Sequence, residues 1–539
     1  MATAAASVAG VLPGAGLEGD WEMVIVNPKR PWIFEARFTR AGGGWAGRLR
    51  MRGLPEVTLQ DIRAESARVR FRFPPELDSA VFDGVETASG IDGHVQLGGE
   101  RFPTRLTRER PLPRPADRLE AWRQDLELAE RKLSTHDRSF TPASRRAFHE
   151  AMARLVRDLH TKRDEEILVD LSRAVALADN AHTRLRLDPT RQGSLSTVFP
   201  IRMWWFGDGA FVVRAAPPYA RALRCRVVAI DGLAISVARD RVRGLIGGNE
   251  AWAGYLSPLY LANPDILDGL GLIRSAREAR FTFEDPRGRR FDLAVRAEAE
   301  PTDAGAGELW QELSPLVTTG RPAWHAALAA DFASLPLYLR HPERPYWYEY
   351  FPESGLLYLQ YNRSTNAGSG PGFREFGDSL VAFARRHAIG DVVVDLRLNS
   401  GGDLTVAREF MAGLGRSELF GRTGRLFVIT SHCTFSAGLF HAAQLRQAPD
   451  AILVGDTPGD RLDFWAEGGG IELPNSGAVI TYSNGFHGYS GRDFPEHRPY
   501  YEEMRVADLV PDLPAALTSG DYFSGRDPAL EAIRDRTGR

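Results

Sequence analysis

Ser436 follows a short apolar run, Leu426-Phe427-Val428-Ile429-Thr430, and precedes a helix-like segment, Leu439 to Gln447. A serine where a strand turns into a helix points its hydroxyl out of the carboxyl end of a sheet. The first backbone N–H groups of that helix are unpaired and carry the positive end of its dipole. A second buried strand, Asp391-Val392-Val393-Val394-Asp395-Leu396, is closed by Arg397-Leu398-Asn399-Ser400-Gly401-Gly402-Asp403. Adjacent glycines, lacking Cβ, let backbone N–H groups approach a ligand. A nucleophile facing a pair of N–H donors is what acyl transfer requires. The competing reading makes Ser436 a helix N-cap and the glycines a plain turn.

A serine hydroxyl is a weak nucleophile and needs an adjacent base. Of 67 basic residues only Lys29, Lys132 and Lys162 are lysine. Arginine stays protonated and cannot take the role. Histidine titrates near neutrality and can. His182 stands in Asp179-Asn180-Ala181-His182-Thr183, where a helical pattern gives way to alternation. His432, Cys433 and His441 are closer to Ser436 in sequence; Cys433 is expected to be an inert buried thiol and His441 to face core or helix surface. His487 and His497 lie downstream, in the chain order of an α/β-hydrolase esterase. Thr434-x-Ser436-x-Gly438 is half of that family's Gly-x-Ser-x-Gly elbow.

Around these residues the chain divides into five stretches. Residues 18–108 hold short alternating runs separated by turn clusters such as Ala41-Gly42-Gly43-Gly44, which predict an antiparallel β barrel or sandwich. Residues 109–116 are a proline-rich linker. Residues 117–199 turn helical, with apolar stripes at Leu119/Trp122/Leu126, Phe148/Met152/Leu155 and Ile167/Leu171/Val175, and lead to His182. Residues 200–297 hold strands around the tight turn Asp231-Gly232, with Asn249 to Leu272 as an insertion or helix pair. Residues 298–535 carry the two buried strands and their turns. The expected fold is a multidomain α+β chain.

Motif order gives a more specific reading. Asp395-Leu396-Arg397-x-Asn399-x-Gly401-Gly402 and Thr434-Phe435-Ser436-Ala437 resemble the S41 peptidase family of tail-specific (C-terminal-processing) and tricorn-like proteases. Leu473-Pro474-Asn475-Ser476-Gly477, Val510-Pro511-Asp512-Leu513 and the ending Asp521 to Leu530 are similar to that family too. The resemblance spans residues 117–535. It implies a ClpP/crotonase-like α/β catalytic domain, a PDZ-like module over 200–297 and a lipocalin-like barrel in front. It implies a serine peptidase with Ser436 as nucleophile and with N–H groups of Ala437 and of Gly401 or Gly402 as the oxyanion hole. Tail-specific relatives place a lysine base near the position of Arg461, so the resemblance points to the tricorn-like arrangement. There Asp-x-x-His-Thr supplies the base, His182, although Ala181 stands where tricorn has a serine. The orienting carboxylate would come from Glu496, Glu502, Glu503 or Asp508, ahead of Pro511-Asp512, with Glu503 preferred. The silent alternative is a ligand-binding protein on the same fold.

Composition bounds the rest. The chain has 539 residues, 43% hydrophobic and 25% charged, with a net charge of −3. That balance gives no sign of nucleic acid as a partner. Two distant cysteines, Cys225 and Cys433, make no disulfide framework or zinc motif. No apolar run reaches membrane-spanning length, and Met1 to Gly19 lacks the basic start of a signal peptide. The expected partner is a peptide or an unfolded protein, and the chemistry calls for no cofactor and no metal.

Overall fold

The computed structural model describes residues 16–51, 55–186, 197–299, 308–317, 321, 323–415, 423–501 and 503–538. Most of Met1 to Gly19, and Glu502, lie outside that set. The chain forms two compact units, one of residues 1–116 with 467–470, the other of the remainder.

The first unit is a nearly closed antiparallel barrel. Its strands are β1 (Gly19–Val26), β2 (Pro31–Ala41), β3 (Gly44–Arg50), β4 (Val57–Thr58), β5 (Gln60–Glu65), β6 (Arg68–Arg72), β7 (Val81–Thr87), β8 (Gly90–Leu97) and β9 (Glu100–Arg108), in the order β4-β3-β2-β1-β9-β8-β7-β6-β5. Only Leu59 separates β4, which pairs with β3, from β5, which pairs with β6. Alternation sets what points inward. Phe38, Phe71 and Phe82 are buried and in ring contact, with centroids 5.6 and 4.8 Å apart. Phe34 and Phe73 extend this core. The barrel's middle is thus packed with rings, which suits a scaffold.

The second unit starts with three helices, α1 (Arg118–His136), α2 (Pro142–Asp158) and α3 (Asp164–Ala176), where the apolar stripes predicted them. Asp117 caps α1 and a Thr141/Ser144 capping box starts α2. Next comes an antiparallel sheet of Ile201–Phe206, Gly209–Ala215, Arg226–Ile230, Glu278–Glu284 and Arg290–Arg296 in that order. Asp231 and Gly232 both take positive φ at its tight turn (47° and 84°). The predicted insertion is α5 (Glu250–Leu261) and α6 (Pro264–Gly269), after α4 (Ile235–Arg243). Helix α5 packs on Ile201–Phe206 and on α4.

The site rests on a six-stranded sheet: Tyr346–Phe351, Leu356–Tyr361, Val392–Asp395, Leu426–Thr430, Ala451–Gly455 and Leu513–Pro514. The first pair is antiparallel and all the others are parallel. The central strands are buried on both faces, which explains their lack of alternation. Val392, Val394 and Val428 pack with Leu380 of α7 (Phe373–Ala384), Met411 of α8 (Arg408–Leu414) and Leu439 of α9 (Ala437–Arg446). Val393, Phe427 and Ile429 face Leu530 and Ile533 of α11 (Pro528–Thr537), which follows the short α10 (Ser519–Ser524).

Candidate active site

The turn into α9 is held from outside itself. Thr434 Oγ1 donates to Leu396 O (2.9 Å) and Phe435 N donates to Asn399 O (3.0 Å). A Cβ on Gly438 would stand 2.3 Å from Asn399 O, so only glycine permits this approach. Asn399 also donates to Tyr361 O and accepts from Gly401 N (both 3.0 Å). Beneath it Arg397 lies between two carboxylates. It bonds Asp395 through Nε (2.8 Å) and Asp527, which caps α11, through both terminal nitrogens (2.9 and 3.0 Å). The Asp-Leu-Arg-x-Asn motif is therefore the brace of the turn.

Held in this way, Ser436 takes φ 53° and ψ −119°, a conformation that costs a side-chain-bearing residue about 1–3 kcal/mol. It occupies the N-cap position of α9, yet its hydroxyl makes no capping hydrogen bond. The hydroxyl is thus left off the helix end, a backbone geometry like that of the strained strand-to-helix elbow of α/β hydrolases. A Cβ on Gly401 would lie 2.8 Å from Ser436 Cβ, so the glycine turn runs directly alongside. Gly401 N–H is taken by Asn399 Oδ1. Gly401 O and Asp403 N bond Ser364, which turns the intervening Gly402 N–H to the other side. Among the described residues neither Gly402 N–H nor Ala437 N–H has a hydrogen-bond partner. Of the expected oxyanion donors, Gly402 and Ala437 are available and Gly401 is not.

His182 is brought to the same turn. Its ring stacks on Phe435, the residue before Ser436, at 4.4 Å and 22°, and on Phe464 at 5.4 Å and 11°. The stack continues from Phe435 to Trp252 (3.9 Å) and from Phe464 to His487 (4.9 Å) and on to Tyr500 (5.0 Å). The segment that presents His182 is anchored at both ends. Asn180 and Thr183 join a buried network with Asp137 and Ser483, and Thr481 Oγ1 donates to His182 O (2.7 Å). Arg461, in the place where a lysine would be sought, bonds Asp179 at 2.8 Å and so clamps the turn that carries the histidine.

The carboxylate beside His182 is Asp460, whose Oδ2 is 3.5 Å from Nδ1. Burial pushes its carboxyl up from 3.8 to about 7, although the Arg461 N–H and charge pull the other way. Asp460 also lines a groove of about 510 Å³ with Arg461, Asp463, Arg492, Asp508 and Leu509. Glu503 does not fill this role: it is exposed and pairs with Arg408 at 3.1 Å. Glu496 and Asp508 are exposed as well. In sequence Asp460 is marked only by its place beside Arg461, the position where tail-specific proteases resembling this chain carry a lysine.

The other candidates fall elsewhere. His441 is wholly buried against Tyr361 and Phe440, and burial pushes it down to about 4. Burial pushes the Cys433 thiol up, as expected of an inert core cysteine. His487 bonds Tyr489 (2.7 Å) and is separated from His182 by Phe464, while His497 packs on Trp465 and Phe486. Lys162 pairs with Asp170 (2.9 Å). Among the described residues no cluster of three metal-ligating side chains occurs, and no helix is long and apolar enough to cross a membrane.

The turn thus brings together a strained serine heading a helix, free N–H donors beside it and a His–Asp pair at its neighbour, the kinds of group that acyl transfer uses. No protein-family model and no curated protein matches the chain. Solved structures do. Mature CPAF complexed with lactacystin superposes with a TM-score of 0.51 at 12% identity, over 78% of this chain and 98% of that one. The tricorn protease matches with 0.35 at 14% identity, over 97% of this chain and 47% of that one. The photosystem II D1 C-terminal processing protease matches with 0.32 at 14%, over 76% and 98%. The chain therefore shares the fold of CPAF.

Proposed function

We propose that this protein is a serine peptidase of the S41 type, acting on peptides or unfolded polypeptides through an acyl-enzyme on Ser436. Ser436 Oγ attacks the scissile carbonyl carbon and its proton passes to His182. Asp460 faces Nδ1, so Nε2 takes the proton, and the carboxylate steadies the imidazolium. The oxyanion rests on the N–H groups of Gly402 and Ala437. The C–N bond then breaks as His182 returns the proton to the leaving amine. Water, losing a proton to His182, attacks the acyl carbon; the C–Oγ bond breaks, His182 returns the proton to Ser436 Oγ and the acid leaves. No step calls for a cofactor or metal.

The observation that carries this reading is the conformation of Ser436: strained, at the helix head and uncapped, one residue after the Phe435 ring on which His182 stacks. The likeness to CPAF and the motif order support it, and the groove along Asp460 gives a chain a place to lie. We read residues 298–535 as a ClpP/crotonase-like domain and 200–297 as a PDZ-like module. Packing of α5 on Ile201–Phe206 speaks against that edge strand taking up a peptide strand. A serine-directed phosphonate should label Ser436 alone, and an unstructured peptide should be hydrolysed by the parent and not by Ser436→Ala. Labelling elsewhere, or equal turnover by both, removes the assignment.

A further inference from the structure

A second cavity lies at the carboxyl edge of the same sheet. It has a volume of about 110 Å³, several times the space one water needs, and is lined by Trp204, Trp205, Tyr255, Tyr338, His432 and Asp456. Two nitrogen-bearing groups converge at its rim. Arg239 of α4 lies over Trp205, with Cζ 4.6 Å from the ring centroid. Among the described residues it has no ion pair or hydrogen bond. His432 is held by Asp456, with Nε2 3.1 Å from Oδ2, which leaves Nδ1 without a partner among those residues. A Cβ on Gly254 would stand 3.3 Å from His432 Nδ1 and 3.4 Å from Arg239 Nη2. Both nitrogens therefore face one spot, kept open because residue 254 of α5 has no side chain.

We infer that Arg239 and His432 form a carboxylate-binding site, and that the cavity behind them takes the apolar side chain next to that carboxylate. An arginine fork is a charge-assisted donor suited to a carboxylate. Asp456 fixes the His432 ring through Nε2, so that its Nδ1 edge is turned to this spot. The aromatic lining gives an apolar or aromatic residue its contact. Tyr338 is 1% exposed, and its hydroxyl has no hydrogen-bond partner among the described residues, so a polar group remains for a ligand to meet. The carboxylate belongs to a peptide, either its chain end or an acidic side chain. That choice of ligand rests on the peptidase reading.

The test uses the full chain carrying Ser436→Ala, so that binding is read without turnover. Three fluorescent peptides share one apolar C-terminal residue: a free acid, its carboxamide, and the carboxamide with a glutamate beside that residue. Anisotropy should show the free acid binding at least about tenfold tighter than the carboxamide, the scale of one charge-assisted bond. If the glutamate peptide alone binds tightly, the site is assigned to an acidic side chain. Arg239→Gln should erase the preference. Gly254→Ala should erase it too, by filling the spot, while melting no lower than the parent, because alanine favours a helix interior over glycine. Equal binding of all three peptides, no binding of any, or a preference that survives both substitutions overturns the proposal. Failure of the parent to hydrolyse peptides would strike the reaction and leave this binding result standing.

Discussion

Asp460 Oδ2 stands 3.5 Å from His182 Nδ1, and Asp460 directly precedes the arginine that clamps the His182 turn. A buried carboxyl raised to about 7 is neutral below that pH and a carboxylate above it. Only the carboxylate steadies an imidazolium. The rate of peptide hydrolysis is thus expected to rise as pH increases through about 7. Asp460→Asn should lose that limb and lower kcat on the order of 10²–10⁴-fold with little change in KM. The stability effect has the opposite sign. The folded carboxyl binds its proton more tightly than the unfolded one, so this contribution is fully present below about 4 and is lost as pH rises through about 7. Thermal melts from pH 4 to 8 should show a shallower decline in Asp460→Asn. An unchanged pH–rate profile would remove Asp460 from the mechanism.

His182→Ala should reduce turnover by about 10²–10⁴-fold, while His487→Ala and His497→Ala should leave the chemical step near the parental rate. His182 touches Phe435, whereas His487 has Phe464 between it and His182. Steady-state rates with one unstructured peptide, beside melting curves for each variant, decide this. A fully active His182→Ala would move the base to one of the other two.

Gly438→Ala should impair both the site and stability. The added methyl would meet Asn399 O at 2.3 Å, a backbone atom that cannot swing aside. Overpacking of this kind costs about 1–3 kcal/mol. The strand end and α9 would be forced apart, moving Ser436. Phosphonate labelling should slow and the melting temperature fall. Parental labelling would show that the turn tolerates the shift.

Arg397→Leu should destabilise the second unit by about 3–5 kcal/mol, because it leaves Asp395 and Asp527 buried without their cation. Denaturant titration measures it. A loss under about 1 kcal/mol, the range of exposed ion pairs, would show that the carboxylates find other partners.

Residues 16–116 alone should unfold cooperatively, since the barrel's aromatic core is made within that unit. A sigmoidal thermal transition of the isolated fragment is the expected result. A broad, sloping melt would show that the rings do not pack without the rest of the chain.

Much of the scaffold was legible in the residues because it depends on local periodicity. Val392–Asp395 and Leu426–Thr430 lack alternation, and that alone marks strands covered on two faces. The stripes of α1, α2 and α3 and the alternation of β2 and β9 come from the same rule. Ser436 at a strand-to-helix junction was readable for the same reason. What tertiary structure alone decided is which distant groups meet there. Gly401 and Gly402 look equivalent in sequence, but Asn399 takes one N–H and leaves the other. Glu503 has the acidity the base requires yet turns to Arg408 on the surface. Asp460 became the partner of His182, some 278 residues away, because Arg461 ties its loop to Asp179 and the His182 ring is fixed between Phe435 and Phe464. A side chain's period reports which face it occupies; its partner and its protonation depend on what the packed chain sets against that face.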